Sequence, residues 1–160
     1  MGHLNLAAEI PINLAYEDDL SLEMLLRILK SPGVLSSEKG FSVGKCFPGR
    51  GYGFLKRNIS GFNKASKGMP YLILTDLDKK ECAPLLIREW LPATANHNLI
   101  FRKDIVPKRG STAKQGPAYN ERLISFVRVA WNPSQARRNS PSLERTIMAL
   151  ERFIPKWEAL

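Results

Sequence analysis

The chain has 160 residues, 44% of them hydrophobic and 24% charged, and its 24 Lys and Arg outweigh 15 Asp and Glu to give a net charge of +9. This length suits one domain with a sizeable core, and the balance is that of a globular protein rather than a disordered or fibrous one. No run of 18 apolar residues occurs, which excludes a membrane-spanning helix, and Cys46 and Cys82 lack the spacing of a metal site or a disulfide framework.

The opening "MGHLNLAAEIPINL" has no basic leader region and contains Glu9, so no signal peptide is expected and a cytoplasmic address follows by default. "IPINLAY" (Ile10 to Tyr16) reads as a short apolar strand, with Pro11 tolerable near its start. In "DDLSLEMLLRILK", Leu22, Leu25, Leu26 and Leu29 recur at helical spacing, and Asp18 or Asp19 serves as the cap. "SPGVLSSEKG" breaks that helix, and "FSVGKCF" alternates like a strand. A glycine-rich loop, "PGRGYG", leads into a basic amphipathic helix, "FLKRNISGFNKASKG". "MPYLILTD" is the strongest strand, "CAPLLIREWL" a following helix and "HNLIFR" a short closing strand.

Beyond Arg102 the character changes. "KDIVPKRGSTAKQGPAYN" has no periodicity and reads as a loop. "NERLISFVRVAW" is an amphipathic helix, "NPSQARRNSPS" resets the chain, and "LERTIMALERFI" is a last helix capped by Ser140 or Ser142. The expected organisation is an α/β core over residues 1–102, with a loop and helical segment over residues 103–160 packing on the same domain. Alternating strands and helices predict a parallel sheet covered by helices. In such sheets ligands lie outside the carboxyl ends of the strands.

Both acidic clusters fall at those ends, "YEDD" after the first strand and "TDLDKK" after the third. Asp76 and Asp78 place like charges on adjacent same-side positions, where they repel. One reading is a surface turn, which Asp favours. The other is a divalent cation, and two acidic strand ends on one edge favour it. Mg²⁺ takes near-octahedral oxygen ligands, commonly one or two carboxylates with waters and phosphate oxygens. Glu17, Asp76 and Asp78 suffice for one such ion, Mg²⁺ or Mn²⁺. Glu17 alternatively suits a general acid or base, whereas Asp18 and Asp19 fit a helix cap and first turn.

Positive charge is gathered elsewhere. Lys45, Arg50, Lys56, Arg57, Lys64 and Lys67 span a stretch without a single acid, which suits a phosphate-bearing partner. Arg50, Lys56, Arg57 and Lys114 are the candidate nucleic-acid contacts, set against the plainer reading of a solvated face. His3 and His97 have no partner at metal spacing. Trp90, Trp131, Trp157, Phe54 and Phe62 are expected in the core rather than as stacking platforms. "GRGYG" lacks the Gly-Lys-Ser/Thr ending of a phosphate-binding Walker loop. Lys80 stands where a haloacid-dehalogenase phosphatase would place Thr or Val, and glycosyltransferase Asp-x-Asp motifs belong to larger nucleotide-sugar domains.

Glu17 with Asp76-x-Asp78 resembles the signature of a Toprim-type domain, the metal-binding module of topoisomerases, primases and overcoming-lysogenization-defect nucleases. More extensively, "YEDDLSLEMLLRILK", "GRGYGFLKRNISGFNKAS", "PYLILTDLDKKECAPLLIREWLP", "HNLIFR" and "GSTAKQGPAYNERLISFVR" are similar, in order, to segments of a bacterial family of Toprim-related proteins. The resemblance implies a Toprim-like parallel sheet with a short C-terminal helical appendage. It implies a metal-dependent nuclease, or nuclease-like subunit, with Glu17, Asp76 and Asp78 as catalytic and metal-binding residues. It also draws attention to Lys108 and Arg109 beside Lys114. DNA or RNA is the implied partner, and an ATPase partner is implied by related nuclease systems. The contrasting expectation is a non-catalytic domain binding nucleic acid or protein. One departure bears on this choice: "LIFR" joins "KDIVPKRGSTAK" directly, where the family inserts an acidic and helical portion.

Overall fold

The computed structural model describes residues 9–49, 52–75, 99–102 and 119–157. Four strands form one sheet: β1 (Ile10–Tyr16), β2 (Phe41–Pro48), β3 (Tyr71–Leu74) and β4 (Leu99–Arg102). Their order is β2-β1-β3-β4 and every pairing is parallel. Helix α1 (Asp19–Lys30) connects β1 to β2, and α2 (Tyr52–Ala65) connects β2 to β3. The expected α/β fold with a parallel, helix-flanked sheet is therefore what the chain forms. Its third expected helix, "CAPLLIREWL", lies outside the described residues.

The two connections step in opposite directions across β1, so right-handed crossovers place their helices on opposite faces. Packing follows that rule. Met24, Leu25, Ile28 and Leu29 of α1 join Ile12, Leu14, Leu72 and Leu74 in one core. On the other face, Leu55, Ile59 and Phe62 of α2 close over Ala15, Tyr71 and Ile73. The strands β1 and β3 are thus covered on both sides, which is why their sequences are near-continuous apolar runs.

Asn13 is the polar interruption in β1, and it is buried. It sits opposite a bulge: Ile12 pairs with Val43 and Leu14 with Cys46, so Gly44 and Lys45 together face one residue. The Lys45 amide, displaced from the ladder, donates to Asn13 Oδ1 at 2.7 Å. A Cβ at Gly44 would lie 2.6 Å from that same oxygen, so the glycine makes room for the bond.

The C-terminal segment contributes α3 (Tyr119–Val129), α4 (Pro133–Ala136), a 3₁₀ turn (Arg137–Asn139) and α5 (Pro141–Glu151). Val127, Leu143, Ile147, Leu150 and Phe153 enter the α1 core. Polar contacts fasten the same seam. Arg27 Nε donates to the Trp131 carbonyl at 3.1 Å, Ser134 Oγ to the Gly33 carbonyl at 2.8 Å, and Lys39 Nζ to the Phe153 carbonyl at 2.7 Å. The Ser36 amide and hydroxyl both donate to the Glu151 carboxylate, at 2.5 and 2.9 Å. Among the described residues, no helix is long and apolar enough to cross a membrane.

Three local details differ from or sharpen the sequence reading. "NPSQARRNSPS" is not a plain reset, because Asn132 caps α4 by accepting from the Ser134 and Gln135 amides. Ser140, not Ser142, caps α5. Phe62 and Trp131 join the cores as expected, but Trp157 lies beyond α5 and is 50% exposed.

The bulge yields a test. Gly44→Ala drives a methyl against Asn13 Oδ1 and should lower stability by about 1–3 kcal/mol, as overpacking does. In an Asn13→Ala background that clash is gone, so the cost of Gly44→Ala should shrink, as a double-mutant cycle in urea unfolding would read.

Candidate functional site

In an open parallel sheet the crevice for ligands opens where successive connections leave in opposite directions, outside the carboxyl ends of the strands. Here that point lies between β1 and β3. Their register pairs Tyr16 with Leu74, so the next residues, Glu17 and Thr75, emerge side by side. Thr75 is fully buried and its Oγ1 donates to Glu17 Oε1. Glu17 is half-buried, and this bond orients its carboxylate from beneath. A buried hydroxyl must find an acceptor, and at this strand end the acceptor is an anionic side chain.

The neighbouring acids have other work. Asp18 caps α1: its Oδ1 accepts from the Ser21 amide at 2.8 Å and the Ser21 hydroxyl at 2.7 Å. Asp19 opens the first turn of the helix, where a negative charge is favoured. Sequence reasoning gave these two residues those roles. Tyr16, the last strand residue, is 5% exposed; burial pushes its phenol above the ordinary value, with Cys46 and Asp19 adding to the effect. It therefore stays a neutral hydroxyl at physiological pH and adds no charge beside Glu17.

Gly49 brings α2 to this edge. Its amide donates to the Tyr16 carbonyl at 2.6 Å. A Cβ there would stand 2.5 Å from that oxygen, 3.2 Å from the Phe54 ring and 3.4 Å from Glu17 Cα. Only glycine lets the chain pass so close before it turns into the helix. Lys56 and Arg57 follow on exposed positions of α2, and Arg57 Nη1 lies 3.2 Å from where a Gly53 Cβ would be, so its side chain folds back toward the helix start.

Of the expected site residues, the structure thus places Glu17 at the crevice and Lys56 and Arg57 on the helix that begins beside it. Asp76 and Asp78 follow Thr75 by one and three positions in the chain and lie outside the described residues, as do Arg50 and Lys114. Among the described residues, no three His, Cys, Asp or Glu side chains come together as a metal site. Sequence reasoning missed Thr75; it singled out the Gly49–Gly53 loop as a tight turn before the helix, but not the approach of Gly49 to the Tyr16 carbonyl. Thr75 did carry a signal, since it prolongs a buried strand into the acidic motif and its hydroxyl needs a partner there. Comparison of the chain with protein-family models, with curated proteins and with solved structures gives no match.

The Thr75 contact can be isolated. Thr75→Val keeps the shape and removes the donor, and should cost about 1.5–3 kcal/mol, the worth of a hydrogen bond to a charged group. Thr75→Ser should recover most of the loss. In a Glu17→Ala background the Thr75→Val cost should fall away, because the acceptor is already absent. Equal costs in both backgrounds would show that the bond contributes nothing.

Proposed function

We propose that the chain is a Toprim-related, metal-dependent nuclease or nuclease-like subunit acting on phosphodiesters of DNA or RNA. The observation that supports this most is the meeting of Glu17 with Thr75, the residue immediately before Asp76-x-Asp78, at the β1–β3 crevice. The two strands that precede these acidic segments in the sequence end side by side at one edge, at Tyr16 and Leu74.

The donor set suits a hard divalent cation. Carboxylate oxygens match Mg²⁺ or Mn²⁺, and a partly exposed carboxylate oriented by a buried hydroxyl fits a site that also admits water and phosphate. Glu17, Asp76 and Asp78 would hold the ion. When bound, it supplies orientation of the phosphate and a lowered pKa for an attacking water. The chain's own contribution is positional: Thr75 fixes Glu17, Gly49 holds the loop against the strand end, and Lys56 and Arg57 offer positive charge to the phosphate backbone. Arg50 and Lys114 complete the proposed nucleic-acid contacts. A second reading, a non-catalytic domain that binds nucleic acid or a protein such as an ATPase partner, draws on the direct junction of "LIFR" with "KDIVPKRGSTAK".

Thermal melts with and without millimolar Mg²⁺ or Mn²⁺ test the site. A ligand that binds the native state raises its stability by mass action. Wild type should gain melting temperature with metal, while Glu17→Gln, Asp76→Ala and Asp78→Ala should lose that gain. In the apo protein, the two aspartate substitutions should leave stability unchanged or raise it, since they remove crowded like charge. The same metal response in all four proteins would defeat the assignment. Nicking of supercoiled plasmid then separates the two readings: metal binding without cleavage favours the non-catalytic one.

A further inference from the structure

We infer that the solvent face of α2 is a track for a polynucleotide backbone, running away from the crevice toward the far end of the helix. The choice of partner rests on the phosphodiester reading above, but binding along this track requires neither metal nor cleavage.

Leu55, Ile59 and Phe62 fix one side of α2 on the sheet. The opposite side is a single exposed stripe of Gly53, Lys56, Arg57, Ser60, Gly61 and Lys64. At 1.5 Å per residue it extends roughly 16 Å. No Asp or Glu occurs between Glu38 and Asp76. A helix face that serves solubility alone gains from acids interleaved four residues from its lysines. This one has none, so its positive field is not offset from within the helix.

Gly61 supplies an independent observation. Glycine is the least favourable residue after proline in a helix interior, so its presence there calls for a reason. Packing gives none among the described residues, where a Cβ at Gly61 would meet nothing within 4 Å. Backbone conformation gives none either, since Gly33 is the described glycine with positive φ. What remains among the uses of glycine is close approach of another backbone from the solvent side. Ser60 and Gly61 form a low saddle between Lys56 and Arg57 at one end and Lys64 at the other, a profile that lets a phosphate chain lie against the helix between basic flanks.

An anionic membrane fits less well. Interfacial helices insert an apolar face into the lipid boundary, and the apolar face of α2 is buried on the sheet. The exposed large hydrophobics among the described residues, Phe126, Val129, Ile154 and Trp157, all belong to the C-terminal segment. The track also begins where a nuclease needs it, because Gly49, whose amide bonds the Tyr16 carbonyl, lies beside the Phe54 ring in the first turn of α2.

The test is fluorescence anisotropy with labelled single-stranded and duplex oligonucleotides in EDTA, across a salt series, using the full chain. Wild type should bind one or both, and Lys64→Glu should weaken binding about tenfold or more and flatten the salt dependence by about 0.7–0.9 in log–log slope, one phosphate contact. Gly61→Ala should raise the melting temperature while weakening binding several-fold, a pairing that damage to the fold does not produce. Arg138→Glu, on the exposed 3₁₀ turn, should bind as wild type does. The track is overturned if wild type binds neither oligonucleotide, if it prefers phosphatidylserine vesicles, or if Lys64→Glu or Gly61→Ala binds unchanged. Loss of the metal response with oligonucleotide binding intact would defeat the nuclease reading alone. Binding indifferent to Lys64 and Gly61, with the metal response intact, would defeat the track alone.

Discussion

Burial of β1 on both faces and along both edges is the constraint from which the rest of the molecule follows. A strand with neighbours on either side and helices above and below has no route to water except its ends. Ile12, Leu14 and Ala15 are accordingly fully buried. The first polar side chain that the strand can release lies past its carboxyl end, and that residue is Glu17. The same constraint fixes Thr75, because β3 runs parallel beside β1 in register and ends at the same level. Position at the edge is therefore a product of core packing, and the carboxylate inherits its placement from buried apolar residues.

Charge is sorted across the fold in a way that complements this placement. Acids gather where β1 gives way to α1, and there the helix cap and the first turn take up Asp18 and Asp19. Tyr16 stays neutral through burial. The basic residues of α2 belong to a helix on the other face of the sheet, and the Gly49 amide bonds the Tyr16 carbonyl at the end of β1. At this edge one carboxylate, Glu17, is thus held by a buried hydroxyl, while the two acids after it are taken up by the start of α1. Away from this region, ion pairs serve the seam between helices. Arg128 meets Glu23 at 2.5 Å, and Arg137 pairs with Glu144, whose carboxyl is held below its usual range by that hydrogen bond.

The strands and long helices were legible because their burial imposes a period on the sequence. The apolar runs of β1 and β3 and the leucines of α1 state their environment directly. The order of the strands was not legible, since periodicity says which face a residue occupies and nothing about which strand lies alongside. Glu17 was readable as a charge at a strand end, but its contact with Thr75 spans 58 positions and depends on that order. Thr75 carried a signal, a hydroxyl closing a buried strand, but threonine is an ordinary strand former, and naming its partner required the strand order. The short α4 escaped for want of length: four residues complete one turn and show no repeat. Its Asn-Pro start was nevertheless a capping signal in plain view. Trp157 misled because aromatic bulk argues for burial, whereas its helix has already ended.

The bulge in β2 has a consequence for how copies of the chain behave toward one another. Among the described strands β2 is outermost, and a flat outer strand offers unpaired amides and carbonyls on which a second molecule can extend the sheet. Here the paired insertion of Gly44 and Lys45 kinks the strand and increases its twist. Lys45 adds an exposed charge along the margin, and Pro48 withholds a donor near its end. The device that houses a buried asparagine thus also spoils the template for intermolecular strand pairing. Resistance to sheet-by-sheet association is built into the same few atoms that settle the interior of β1.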